Sequence, residues 1–147
     1  MRYLTLSLTM LLLSACGGAA SDPEEELREW VARGELATQE KDRGDLLELI
    51  SEDYVDSRGN DRDKLGGIMM GYFLRQQSIA LLTNIDEMTL FGDNAARIAL
   101  SVGMAGTNTG AWGFRADAYQ FELELEKPDD EWLLIGARWG ELGGELH

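Results

Sequence analysis

Residues 114–127 have the sequence FRADAYQFELELEK, and this stretch decides the fold. From residue 119 to residue 126, large apolar side chains alternate strictly with polar ones. A period of two is typical of a β-strand with one face in the core and the other in solvent. The segment therefore predicts a long, half-buried strand whose inward side chains are Tyr119, Phe121, Leu123 and Leu125.

Further candidate strands precede and follow this segment in the sequence. Residues Ile79 to Phe91 and Ala95 to Ala105 form two preceding candidates, separated by the turn sequence Gly92-Asp93-Asn94. Pro128-Asp129-Asp130 turns the chain back into a last strand from Glu131 to Trp139. Because such short connections join neighbouring antiparallel strands, we predict a four-stranded meander.

Helical patterns occupy the chain before the strands. Asp22 followed by Pro23 is a strong helix start, and Leu27, Trp30 and Val31 recur at helical spacing behind it. Arg43-Gly44 predicts the end of that helix. A short second helix is expected from Asp45, and a third after an N-cap at Asn60 or Asp61. Helices followed by an antiparallel meander indicate an α+β domain.

This order resembles the nuclear transport factor 2-like superfamily over about residues 23–142. The resemblance rests on Leu49-Ile50-Ser51-Glu52-Asp53-Tyr54-Val55-Asp56, on the Asp93-Asn94 turn and on Glu131-Trp132-Leu133-Leu134. It implies three N-terminal helices packed in the concave face of a curved, mainly antiparallel four-stranded sheet, a cone with a pocket inside. Members of the superfamily include isomerases, dehydratases and domains without known activity, so the fold does not fix the function.

The N-terminus has the features of a targeting segment. Arg2 precedes an apolar run from Tyr3 to Leu13, which is too short to span a bilayer but fits a secretory signal. Leu13-Ser14-Ala15-Cys16 then resembles the lipobox of bacterial lipoproteins, which implies cleavage before Cys16 and lipidation of its thiol. We predict a signal peptide over 1–15, a lipidated tether over 16–21 and the nuclear transport factor 2-like domain over 22–147.

Composition restricts location and partners further. The formal charge is −14, with 13 Lys and Arg against 27 Asp and Glu, which argues against nucleic-acid binding. Anionic lipid head groups would repel the same acidic surface, so a lipid anchor at Cys16 is the expected attachment to the membrane. By the resemblance to lipoproteins, Gly17 after the cysteine favours the outer membrane, with the domain at its periplasmic face.

Strand alternation selects the candidate pocket residues. Counting back from Tyr119 in steps of two places Asp117 and Arg115 on the same, inward face. On the last strand the same count groups Trp132, Leu134, Gly136 and Arg138. If both faces are concave, the pocket set is Arg115, Asp117, Tyr119, Trp132 and Arg138. These charges form either a ligand site or an internal Asp–Arg ion pair that closes the cone.

Catalytic options are few. The single His is residue 147 and the single Cys is Cys16, which removes Ser-His-Asp and Cys-His chemistry and any Cys/His zinc site. Asp117 beside Tyr119 is the candidate for carboxylate acid–base catalysis. The acidic stretch around Asp53, Asp56 and Asp61 lacks calcium-loop spacing, so helix capping and solvated charge explain it. We expect no metal and no cofactor.

Three functions stay open. The first is a non-enzymatic envelope lipoprotein that binds a small apolar ligand or a protein. The second is a carboxylate-based isomerase or dehydratase that acts on a small apolar ligand in the cone. The third is a structural domain whose cone is filled by its own side chains.

The last strand is apolar on both faces, so a homodimer through the face bearing Ile135 and Trp139 is expected.

Overall fold

A computed structural model describes residues 20–108 and 114–147, and only the backbone of residues 108, 114 and 115. The helices are α1 (Pro23–Glu40), α2 (Arg43–Glu48) and α3 (Arg62–Arg75), and the strands are β1 (Gln76–Phe91), β2 (Ala95–Asn108), β3 (Phe114–Glu126) and β4 (Leu133–Glu141). The strands form one antiparallel sheet in the order β1-β2-β3-β4. The predicted α+β order and the four-stranded meander are confirmed.

The helix starts are set by aspartate caps. The Asp22 carboxylate accepts a hydrogen bond from the Glu24 amide at 3.1 Å, as predicted, and Asp61 caps α3. Lys41, in a left-handed conformation, ends α1 just before the predicted Arg43-Gly44 stop. Asp42 then caps α2 by accepting from the Asp45 amide at 3.0 Å, so the start predicted at Asp45 was wrong by three residues.

The larger of two buried apolar clusters lies at the end of the sheet where α1 begins, and the smaller one joins the C-terminal half of α1 to α2, α3 and β1. Leu27 from α1, Ile98 from β2 and Leu125 from β3 are 0%, 0% and 1% exposed. They belong to one apolar cluster that joins α1 to the sheet. The face of the sheet against which α1 packs is its concave face. Burial of these side chains fixes α1 across the sheet.

A β-bulge in β4 reverses which side chains face inward. Leu134 pairs with Leu125 and Gly136 pairs with Glu124, so Ile135 has no partner in the register. Beyond the bulge Ala137 pairs with Leu123 and Trp139 with Phe121, which places both on the concave face. Arg138 pairs with Glu122 and therefore points to the convex face. The predicted grouping of Arg138 with Trp132 and Leu134 on one face was wrong for this reason.

The bulge also explains why β4 is apolar at both odd and even positions. Trp139 stacks on Phe121 inside the cone, with ring centroids 6.5 Å apart, rather than on an outer face. The face predicted to carry both Ile135 and Trp139 toward a second copy was therefore wrong. Homodimerisation stays a prediction, without the support of that pattern.

No helix within the described ranges is long and apolar enough to cross a membrane.

A part-buried carboxylate in the first turn of α1 joins the helix to the connection between β3 and β4. Glu26 accepts hydrogen bonds from Lys127 Nζ at 2.6 Å and from Trp132 Nε1 at 2.9 Å, and a further one from the Ser21 hydroxyl. The bonds from Lys127 and Ser21, in that order, lower the pKa of Glu26 from 4.5 to about 2. The ionised form of Glu26 therefore stabilises the native state.

Because the pKa of Glu26 is lower in the folded state, its contribution is present above pH 4.5 and is lost as the pH falls toward 2. We expect Glu26→Gln to lower the free energy of unfolding by about 1–2 kcal/mol at pH 7, since the side chain keeps some solvent contact. Urea unfolding at a series of pH values should show the gap to wild type closing below pH 4.5. Glu25→Gln, on the same turn, is the control and should change little. A gap independent of pH would contradict this account.

Helix α3 contains three glycines, Gly66, Gly67 and Gly71, which lower its intrinsic stability. Their surroundings differ. A Cβ at Gly66 would lie 2.7 Å from Nη2 of Arg43, whose Nε donates to the Gly66 carbonyl at 3.0 Å. A Cβ at Gly67 would meet nothing within 4 Å. Gly66 is thus required by the contact between α2 and α3, whereas Gly67 is not.

These two adjacent glycines give a matched test. Gly67→Ala should raise the free energy of unfolding by about 0.5–1 kcal/mol through helix propensity alone. Gly66→Ala should give no gain or a loss, because the methyl group displaces the Arg43 guanidinium. Chemical denaturation of both variants measures the difference. Equal gains for the two would show that the Arg43 contact contributes nothing.

Candidate functional site

A cavity of about 550 Å³ lies inside the cone, between α1, α3 and the concave face of the sheet. Its wall is mostly apolar. It contains aliphatic side chains such as Val31, Leu65, Leu100 and Val102. Six aromatic side chains also line it, namely Trp30, Tyr72, Phe73, Tyr119, Phe121 and Trp139. The side chains of the described residues therefore leave space inside the cone, which does not favour the third functional hypothesis.

Strand alternation and helix spacing together create this lining. Leu81 and Thr83 from β1, Leu100 and Val102 from β2, and Tyr119 and Phe121 from β3 all point to the concave side, in agreement with the strand registers. Helix α1 contributes side chains one turn apart. Gly34 also lines the cavity, and a Cβ there would lie 3.6 Å from Cδ1 of Leu49, which follows α2.

The mouth of the cavity is more polar. An adjoining pocket of about 320 Å³ shares Tyr72, Arg75, Met104 and Tyr119 with the main cavity and adds Gln76, Gly106 and Asp117. Asp117 pairs with Met104 in the sheet and is part-buried. A Cβ at Gly106 would lie 2.5 Å from Oε1 of Gln76, so a side chain there would displace that amide from β2.

The structure places only some of the predicted site residues at the cavity. Asp117 and Tyr119 line the concave face at the mouth, as predicted. Arg115 pairs with Gly106 in the backbone, and its side chain lies outside the described residues, as does Cys16. Trp132 is 5% exposed but lies beside Glu26, away from the cavity, so its assignment to the pocket was wrong.

Arg138 was also assigned to the pocket, and this too was wrong. Its guanidinium forms a salt bridge with Glu122 on the convex face, where Arg97 lies 3.2 Å from Glu124. This hydrogen-bonded contact with Glu122 raises the pKa of Arg138. The expected internal pair between Asp117 and Arg138 does not form, because the bulge at Ile135 directs Arg138 outward.

One cavity carboxylate was missed by the sequence analysis. Glu35 of α1 lines the cavity, and its Oε2 accepts a hydrogen bond from the Thr83 hydroxyl of β1. Glu35 follows Val31 by one helical turn, and Val31 belongs to the buried face of α1. That spacing was the available signal, but a glutamate in a helix is ordinarily interpreted as solvent-exposed.

The acidic loop before α3 has a structural role. Asp56 and Asn60 are 5% and 6% exposed, and Oδ1 of Asp56 accepts from the Arg58 and Asn60 amides at 2.9 Å each. Burial alone would raise the pKa of Asp56, but the hydrogen bonds from Asn60 and Arg58 outweigh it and hold the pKa below its usual value. Burial raises the pKa of the neighbouring Tyr54. Asp56 thus orders the loop from a buried position, which differs from the predicted helix capping and solvated charge, whereas Asp61 caps α3 as predicted.

Sequence comparison does not assign the chain to a protein family. No protein-family model and no curated protein matches it.

Solved structures do match the fold. A proposed scytalone dehydratase from Novosphingobium aromaticivorans has a TM-score of 0.75 at 12% identity, over 80% of this chain and 83% of that one. A ketosteroid isomerase-like protein from Erwinia carotovora atroseptica has a TM-score of 0.67 at 13% identity, over 80% and 95%. A nuclear transport factor 2-like superfamily protein from Salmonella enterica serovar Typhimurium has a TM-score of 0.68 at 13% identity, over 81% and 90%. The chain has the nuclear transport factor 2-like fold, as its sequence predicted.

Proposed function

We propose that the domain binds a small, largely apolar molecule in the cone cavity. The observation that carries this proposal is the cavity itself, about 550 Å³ with a predominantly apolar and aromatic wall. Ligand sites in proteins are commonly concave, apolar and of about this size, with a few polar groups that fix orientation. Here those groups are Glu35 and Thr83 inside, and Arg75 and Asp117 at the mouth.

The names of the structural neighbours support a ligand cavity by analogy. Among proteins of this fold are ones described as a dehydratase, an isomerase-like protein and a hexachlorocyclohexane dehydrochlorinase. Fold alone does not transfer their reactions to this chain. It does support the use of the cone interior as the place where a small molecule is held.

A second candidate function is carboxylate-based isomerisation or dehydration. The observation in its favour is that Asp117 lies beside Tyr119 at the cavity mouth. Arg75 lines the same mouth, so the carboxylate of Asp117 shares it with a cation and does not face an apolar wall alone, as an isolated catalytic base would. Binding without chemistry is therefore the first choice. Conversion of a captured ligand by wild type, lost in Asp117→Asn, would reverse that order.

We also propose that the mature protein is an envelope lipoprotein, anchored through Cys16 at the periplasmic face of the outer membrane. Support comes from the apolar run over 3–13, the lipobox-like residues 13–16 and the small residues after Cys16. Since α1 begins at Pro23, the tether over 16–21 is short and the cone is held near the bilayer.

Partly filling the cavity should weaken ligand binding without unfolding the domain. Val102 is 7% exposed and its side chain enters the cavity, so Val102→Phe should occupy part of that space. Ala99→Phe, on the convex side of the same strand, is the matched control. Titration with the neutral dye Nile red should give blue-shifted fluorescence with wild type and with Ala99→Phe, and at least tenfold weaker binding with Val102→Phe. Equal binding by all three proteins would reject the cavity as the site.

The anchor has its own test. Cys16→Ser should abolish labelling by a palmitate analogue and move the protein from the membrane fraction to the soluble fraction, because two or three acyl chains give stable anchoring. Ser14→Ala is the control, since alanine also fits the lipobox pattern at that position. Label that persists on Cys16→Ser would reject lipidation at this residue.

A further inference from the structure

Glu35 occupies an unusual position for a carboxylate. It lines the apolar cavity from α1, is part-buried, and its Oε2 accepts a hydrogen bond from the Thr83 hydroxyl. Among the residues that the structure describes, no Lys or Arg forms a salt bridge with it. Within the described residues the side chain of Glu35 is hydrogen-bonded to Thr83 alone, so it can also accept a hydrogen bond from a cation that arrives with a ligand.

Among the described residues, Arg75 lines the same cavity as Glu35 and Arg28 lines the same groove, and neither forms a salt bridge with it. Arg75 lies at the opening, at the C-terminal end of α3, and is solvent-exposed. Arg28 lies in a surface groove beside Glu35 but pairs with Glu24 at 3.2 Å and Glu25 at 3.8 Å. Glu35 is therefore available to a charge that arrives with a ligand.

We propose that the cavity selects a hydrophobic amine, that is, an apolar body that carries one ammonium group, and that Glu35 binds the ammonium. This inference rests on the proposed ligand-binding function of the cavity. The second oxygen of Glu35 can accept from an ammonium while Thr83 keeps the first in place. A charge-assisted contact of this kind is stronger than a neutral hydrogen bond.

Three further features of the molecule favour a cationic ligand. The aromatic wall includes Trp30, Tyr119 and Phe121, whose ring faces attract cations. The formal charge of −14 attracts cations over distance and repels anions. Val31, Glu35 and Thr83 line both the cavity and the groove between α1 and β1, so an ammonium at Glu35 keeps part of its hydration while its apolar body is buried.

The test uses three probes with the same ten-carbon chain: decylammonium, decanol and decanoate. Calorimetric titration of the lipid-free mature domain should give the tightest binding for decylammonium, about tenfold tighter than decanol, and the weakest for decanoate. Glu35→Gln keeps the shape and the hydrogen bond to Thr83 but removes the charge. It should weaken decylammonium binding about tenfold and leave decanol unchanged.

Glu40→Gln is the matched control, because Glu40 lies on the same helix, is exposed and is outside the cavity lining. It removes the same net charge and should change neither affinity. The proposal is overturned if decylammonium and decanol bind wild type equally, or if Glu35→Gln and Glu40→Gln have the same effect. If decanol and Nile red bind but decylammonium gains nothing, only the amine selectivity fails. If wild type binds neither the dye nor any of the three probes, the proposed function fails as well.

Discussion

The contact of α1 with the concave face of the sheet is the constraint on which the rest of the structure depends. Leu27 is enclosed with Ile98 and Leu125, and all three are essentially inaccessible to solvent. A single helix cannot cover a sheet of four long strands from end to end. The chain therefore packs tightly where α1 starts and leaves the other end to α3, whose three glycines weaken it as a helix.

The cavity follows from this uneven coverage. Toward its C-terminal half α1 presents Gly34 and Thr38 instead of large apolar side chains, and both line the cavity. The sheet continues to present Leu100, Val102 and Phe121 at the same level. Apolar side chains of the sheet that meet no matching side chain from α1 leave a cavity, and a cavity lowers stability. Its retention here is understandable if a ligand completes the core.

Much of the fold could be predicted from local pattern. The alternation in residues 119–126 sets the face of β3, and the Asp22-Pro23 pair sets the start of α1, because both depend on neighbouring residues only. The bulge at Ile135 could not be predicted. Apolar side chains at both odd and even positions fit a strand that is buried on both faces, and they fit equally well a strand in which a bulge shifts the register. That single extra residue reversed the positions of Arg138 and Trp139.

The same limit applies to the site. Asp117 and Tyr119 were predictable because they continue the alternation of β3, whereas Glu35 depends on where α1 crosses β1 and on its meeting with Thr83. A helix pattern shows which residues share a face, but it does not show where that face ceases to be covered by packed side chains. Periodicity alone therefore does not identify functional residues that lie where the packed part of a helix face ends.

Charge pairing in the described part of the chain points to the same place. On the convex face Arg97 and Arg138 contact Glu122 and Glu124, and beside the core Lys127 contacts Glu26. Glu35, by contrast, meets a hydroxyl and an apolar cavity. Incomplete packing and incomplete charge compensation thus coincide inside the cone, which is where a ligand would supply both.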